Sequence, residues 1–209
     1  MRISNRAVIA AVATAWAASL MLTGCAPAPA NGTDPPAPET EPTPDETAAT
    51  PSPGVAVFRM PSQCADLVRA ETTAAFAADG LDLLGGPGGR YGENYFGDPS
   101  PEEQAGGITC VWGDESAPAT TVIVSVAPVS TATRSGIVSA LLDNGLIESQ
   151  IEGALTYARI GDEVSAPGEL HVIRSDSWIS VIEALGGEDR FQRATQLVDE
   201  VTEQVYVAR

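Results

Sequence analysis

From residue 58 onward the apolar positions change spacing several times, and each change predicts an element. Ser62 can cap a helix whose Cys64, Leu67, Val68, Ala75 and Phe76 share one face, with Gly80 at its end. Residues 108–113 read as a strand, and 120–127 as a second in which Val122, Val124 and Val126 alternate with smaller residues. The period then lengthens, and Ile137, Val138, Leu141 and Leu142 mark a short helix that Gly145 stops. Three more strands follow at 154–160, 169–174 and 178–185, the last two joined by Ser175-Asp176-Ser177 as a hairpin loop. A final helix from 188 to about 206 gathers Phe191, Ala194, Leu197, Val198, Val201 and Val205 on one side. Glu188 and Asp189 at its start suit the helix dipole. The order αββαβββα with short connections predicts an α+β fold. Its single domain would hold a twisted, mainly antiparallel sheet of about five strands with helices packed on one face.

The chain before residue 58 cannot join that core. Arg2 and Arg6 precede an apolar run over 7–22, and Leu22-Thr23-Gly24 leads to Cys25. This resembles a bacterial lipoprotein signal over 1–24 with its lipobox. The resemblance implies cleavage before Cys25, a diacylglyceryl group on its thiol and acylation of the new amino group. An uncleaved anchor would need about 20 apolar residues to cross a bilayer, and plain secretion would leave the position of Cys25 unexplained. Each buried CH₂ contributes about 0.8 kcal/mol, so two or more acyl chains hold a protein persistently at a cell membrane, here facing outside the cytoplasm. Residues 25–57 then carry the lipid and a linker: positions 26–57 hold nine Pro and five acids, with no basic or aromatic residue to build a core. Thr40, Thr43, Thr47, Thr50 and Ser52 among those prolines also suit O-glycosylation. The domain proper is 58–209.

Charge narrows the function. Removing Arg2 and Arg6 leaves nine arginines against 28 acidic residues, a formal charge of −19. A polyanion such as nucleic acid is repelled, as is an anionic polymer or lipid surface unless divalent cations bridge them. The chain has no lysine and one histidine, His171. Without Lys there is no P-loop lysine, Schiff base or Ser-x-x-Lys nucleophile, and one His cannot make an H-E-x-x-H zinc site. No catalytic residue, metal site or cofactor is expected.

Cys64 and Cys110 are the thiols left to the folded domain, and an even pair in an exported chain is most simply a disulfide. Closing that loop would stabilise the fold by roughly 4 kcal/mol in the chain-entropy model. A redox pair would ordinarily be a Cys-x-x-Cys at a helix start, which this spacing is not. Cys64-Ala65-Asp66-Leu67 opening a helix, then Cys110-Val111-Trp112 on a strand, resembles a family of actinobacterial lipoproteins of unknown function. It is also similar to the extracellular sensor domain of some actinobacterial receptor kinases. That resemblance implies a disulfide-braced sheet framing a cleft, and a binding role without catalytic residues.

Residues 85–107 are the leading candidate site. This connection holds eight glycines together with Arg90, Tyr91, Tyr95 and Phe96, flat apolar area with hydrogen-bonding tips of the kind recognition surfaces use. The first expectation for this segment is nevertheless a mobile loop whose aromatics fold back onto the sheet, with recognition second. Asp79 and Asp82 beside Gly80 lack the spacing of a calcium loop, and His171 within a strand reads as a packed or surface residue. Trp112 and Trp178 read as core, and Glu102/Glu103 and Asp162/Glu163 as surface pairs. The expectation is a membrane-anchored lipoprotein whose domain binds a small-molecule ligand or an envelope protein non-catalytically. A structural or assembly accessory of the envelope is the alternative, followed by a cell-wall hydrolase. Replacing Cys25 by Ser is expected to release the protein from the detergent-extractable membrane fraction. Continued firm attachment of Cys25→Ser would contradict lipid anchoring.

Overall fold

The computed structural model describes residues 56–208. In chain order they form β1 (Ala56–Phe58), a 3₁₀ turn at Cys64–Asp66, α1 (Ala70–Ala78), β2 (Asp82–Gly85), a 3₁₀ turn at Gly92–Asn94 and α2 (Pro101–Gln104). There follow β3 (Ile108–Asp114), β4 (Ala117–Pro128), α3 (Thr131–Asp143), β5 (Ile147–Ile151), β6 (Ala154–Arg159), β7 (Gly168–Ile173), β8 (Ser177–Glu183), α4 (Glu188–Val205) and β9 (Tyr206–Ala208). Seven strands make one sheet in the order β2-β3-β4-β8-β7-β6-β5, and every neighbouring pair is antiparallel. β1 pairs with β9 in a separate two-stranded sheet.

The connections explain that order. After the β3–β4 hairpin the chain passes through α3 to the far edge, then returns strand by strand until β8 lies beside β4. The two central strands are thereby buried on both faces. On one face the register sets Val124 opposite Val181 and Val126 opposite Ile179. These join Trp112, Phe76 of α1, and Leu197, Val198, Val201 and Val205 of α4 in the larger buried cluster. The i, i+3, i+4 spacing on α4 turns one stripe to the sheet, each large side chain contributing about 1.5–3 kcal/mol when fully buried. On the other face Ala127, Trp178, Ile173 and Tyr157 meet Leu141 of α3 and Leu146 in a second cluster. Ser130 and Thr133 cap α3 reciprocally, each backbone N–H donating to the other's hydroxyl at 3.0 and 3.2 Å.

Three expectations are corrected. The main sheet has seven strands where about five were expected, because β2 is only four residues long and β5, Ile-Glu-Ser-Gln-Ile, is exposed throughout and lacks an apolar face signal. Helices cover both faces, since α3 must cross the sheet to carry the chain from β4 to the far edge. The first helix begins at Ala70 and not after Ser62; Cys64–Asp66 is a 3₁₀ turn, and Arg69 occupies the position before the helix. That start is fastened to α4, where Glu200 accepts from the Arg69 backbone N–H and, at 2.7 Å, from the Thr72 hydroxyl.

One charge lies within the apolar face. Glu183 has no exposed surface, and Arg193 of α4 reaches it with two hydrogen bonds, Nε to Oε1 at 2.7 Å and Nη2 to Oε2 at 2.5 Å. That forked contact raises the pKa of the guanidinium above its ordinary value against the opposing effect of burial. Removing one partner strands the other. Arg193→Met is expected to destabilise the domain by about 3–5 kcal/mol in urea unfolding, more than the loss of a surface ion pair would. A change below about 1 kcal/mol would show that water reaches Glu183.

Candidate functional site

The segment 85–107 is held on the sheet by its own backbone. The N–H groups of Arg90 and Tyr91 donate to the carbonyls of Leu83 and Leu84 at 3.0 and 2.8 Å, along the edge of β2 that faces away from β3. Gly86, with φ at +95°, leaves no room for a side chain: a Cβ there would lie 2.3 Å from the Thr109 carbonyl oxygen and 2.7 Å from Cys64 Sγ. Cys64 is bonded to Cys110 of β3, with Cα atoms 5.6 Å apart, and its N–H donates to the Pro87 carbonyl at 3.3 Å. The disulfide thus joins the N-terminal 3₁₀ turn to the sheet and forms the wall against which the glycine segment packs.

On this support the four candidate side chains form one group. Arg90 reaches Asp82 Oδ2 at 2.7 Å through Nη2 and Glu115 Oε2 at 3.0 Å through Nη1, and the Tyr91 hydroxyl donates to Glu115 Oε1. Asp82, then Glu115, raise the pKa of the Arg90 guanidinium, while the hydrogen bond to Glu115 raises that of the Tyr91 phenol. Exposed pairs of this kind contribute little stability; their effect is to orient the rings. Tyr91 and Tyr95 have centroids 6.0 Å apart, and Phe96 meets Tyr95 edge-on at 5.0 Å. Tyr95 rests on Gly85, where a Cβ would collide with its own Cβ at 2.6 Å. Tyr91 and Phe96 remain 50% and 51% exposed, so these two rings do not fold back into the core, while Tyr95 between them packs onto the sheet.

Beside this platform an open cleft of about 270 Å³ runs between the loop and the start of β3, lined by Pro87, Glu93, Pro99, Glu103, Gly107 and Ile108. Glu103 is turned to its own helix, accepting from the Ser100 N–H at 2.7 Å while Ser100 Oγ accepts from the Glu103 N–H at 3.1 Å. With Glu93 and Glu103 in its lining, the cleft is open and polar.

The other singled-out residues, apart from Asp82, are placed elsewhere. Asp82 is engaged by Arg90, Asp79 ends α1, and Trp112 is buried against Phe76. Asp162 accepts from the backbone N–H groups of Val164 and Ser165 at 2.8 and 2.6 Å, which depresses its pKa and shapes the loop after β6. Glu102 is corrected: expected on the surface, it is buried by α2 against the sheet and accepts from Ser180 Oγ at 2.5 Å. Cys25 lies outside the described residues. Among those described, no helix is long and apolar enough to cross a membrane, and no group of three His, Cys, Asp or Glu side chains could hold a metal ion.

A polar row across the sheet was not foreseen. Thr109, Ser125, Ser180, His171 and Tyr157 stand in one register on the face under α2 and α3, all buried, and Glu148 ends the row. Its signal in the sequence was a residue with a polar group at the same parity in successive apolar strands. Serine, histidine and carboxylate are all present, but their bonds do not form a nucleophile–base relay. Ser180 donates to Glu102, and the Trp178 indole donates to His171 Nδ1 at 3.1 Å. Because the indole only donates, the neutral ring carries its proton on Nε2, which points at Glu169 Oε2 from 3.8 Å. His171, and then Arg159 donating to Oε1 at 2.6 Å, hold the Glu169 carboxyl below its ordinary range against burial.

No family model matches this chain, and no curated protein or solved structure matches it.

Glu169 yields a pH prediction. Its folded pKa is depressed, so its stabilising contribution is complete above the usual carboxyl value of 4.5 and is lost as pH falls through the folded value. Glu169→Gln is expected to lower neutral-pH stability by about 1–2 kcal/mol. The gap to wild type should narrow as acid unfolding is followed below pH 4.5; a constant gap would exclude the ionised pair as its source.

Proposed function

We propose that this protein is a membrane-anchored extracytoplasmic lipoprotein whose domain binds a protein partner non-catalytically through Arg90, Tyr91, Tyr95 and Phe96. The observation that carries this reading is a cluster of half-exposed aromatic rings held in place by a disulfide-backed loop and by ion pairs. Rings already fixed lose little freedom when a partner covers them, and tyrosine with arginine is the composition of interface hot spots. The rings stand exposed on the surface and the neighbouring cleft is open with a polar lining, which favours a protein surface over a small ligand needing an enclosed apolar pocket. Cys25 supplies the anchor, and the proline-rich segment after it the reach. The resemblance to actinobacterial lipoproteins and to receptor-kinase sensor domains fits this binding role.

The test is crosslinking and affinity capture from intact membranes with wild type and with Tyr91→Ala/Phe96→Ala. Each truncation at a hot spot costs about 2 kcal/mol, so a specifically captured protein should fall at least tenfold in yield in the double variant. Equal thermal stability of the two proteins would show that the loop alone has changed. An unchanged capture profile would remove the platform as the binding surface.

A further inference from the structure

The two edges of the main sheet are treated differently. At β2 the outer carbonyls of Leu83 and Leu84 are taken by the chain's own loop. At β5 no strand of the described chain lies outside Ile147–Ile151, and all five residues are exposed. β5 carries no lysine, proline or bulge to blunt that edge, and its one charged side chain, Glu148, is engaged by Tyr157 of its own sheet. Ile147 and Ile151 are 75% and 46% exposed on the same face as the α4 cluster, beyond the strands β7 and β8 on which α4 packs.

We propose that a second copy of this chain pairs its β5 with this β5, antiparallel about a twofold axis at Ser149, to make a continuous sheet of two subunits. The strand is self-complementary. With Ser149 opposite Ser149 of the second copy, Ile147 meets Ile151 on one face and Glu148 meets Gln150 on the other, each pair occurring twice. Aligned side chains in an antiparallel ladder interact most strongly when apolar meets apolar and no like charges face each other. The neighbouring registers fail that condition: centred on residue 148 they oppose Glu148 to Glu148, and centred on residue 150 they oppose Glu148 to Glu152. Glu148 already accepts from the Tyr157 hydroxyl through Oε2 at 2.7 Å, which leaves Oε1 for the Gln150 amide of the second copy. Twofold pairing uses one patch on both subunits and closes without further growth. The formal charge of −19 from Cys25 onward opposes approach at long range, and salt screens that repulsion within about 10 Å, so dimerisation strengthens with ionic strength. This interface is separate from the aromatic platform and stands whether or not that surface binds a partner.

The experiment places a reactive thiol at the axis in the otherwise intact full-length chain. Ser149→Cys, treated in membranes with a short bis-maleimide, should give a covalent dimer on a denaturing gel, while Gln192→Cys on α4 should stay monomeric. Adding Gln150→Glu to Ser149→Cys sets two carboxylates opposite each other and should reduce the crosslinked fraction at least threefold. Peptide mapping of the Cys64–Cys110 bond in each variant verifies folding. The proposal is overturned if Ser149→Cys gives no dimer, if Gln192→Cys crosslinks equally, or if Gln150→Glu changes nothing.

Discussion

A sheet whose middle strands are buried on both sides sets the terms for the rest of this molecule. β4 and β8 present Val122, Val124, Val126, Ile179 and Val181 to one side and Ala127 and Trp178 to the other. Neither face can be left to water, so the chain must supply cover twice. α1 and α4 do so above, and α2 and α3 below. Even the charge admitted to the upper face follows the same demand, because Glu183 is tolerated only under the fork of Arg193.

The lower face answers the demand with hydrogen bonds as well as apolar packing. Thr109 receives a bond from Ser125 at 3.0 Å and lies 2.6 Å from the Ser100 hydroxyl, while Ser180 is satisfied by Glu102 and Nδ1 of His171 accepts from Trp178. Small polar residues that find each other across strands define register more sharply than valine would, since a slip by two residues breaks several bonds together. The loop over β2 is built by similar economy: the backbone that blocks one sheet edge also presents the aromatic rings.

How much of this was legible in the sequence depends on how local the cause was. The valine alternation in β4 and the stripe on α4 are periodic signals, and both elements lie near where they were expected. The Cys64–Cys110 bond followed from counting thiols. β5 was missed because a strand exposed on both faces carries no hydrophobic period, and β2 because four residues are too few for one. α2 was missed although Ser100-Pro101-Glu102-Glu103 is a capping box with proline at its first turn; the surrounding glycines had read as structureless chain. At the candidate site the sequence singled out Arg90, Tyr91, Tyr95 and Phe96. Their partners Asp82 and Glu115 belong to other segments, and only the fold brings them together.

Cys64 also determines how the domain answers tension. A pull entering the described chain at Ala56 first meets the three-residue pairing of β1 with β9 and the Arg59 N–H bond to the Val205 carbonyl at 2.7 Å. These can peel, and residues 56–63 can then straighten to roughly 28 Å at most. There the load reaches sulfur and passes through a covalent bond into β3. The outermost segment thus acts as a short shock absorber with a hard stop, leaving the central strands shielded from being drawn out one by one.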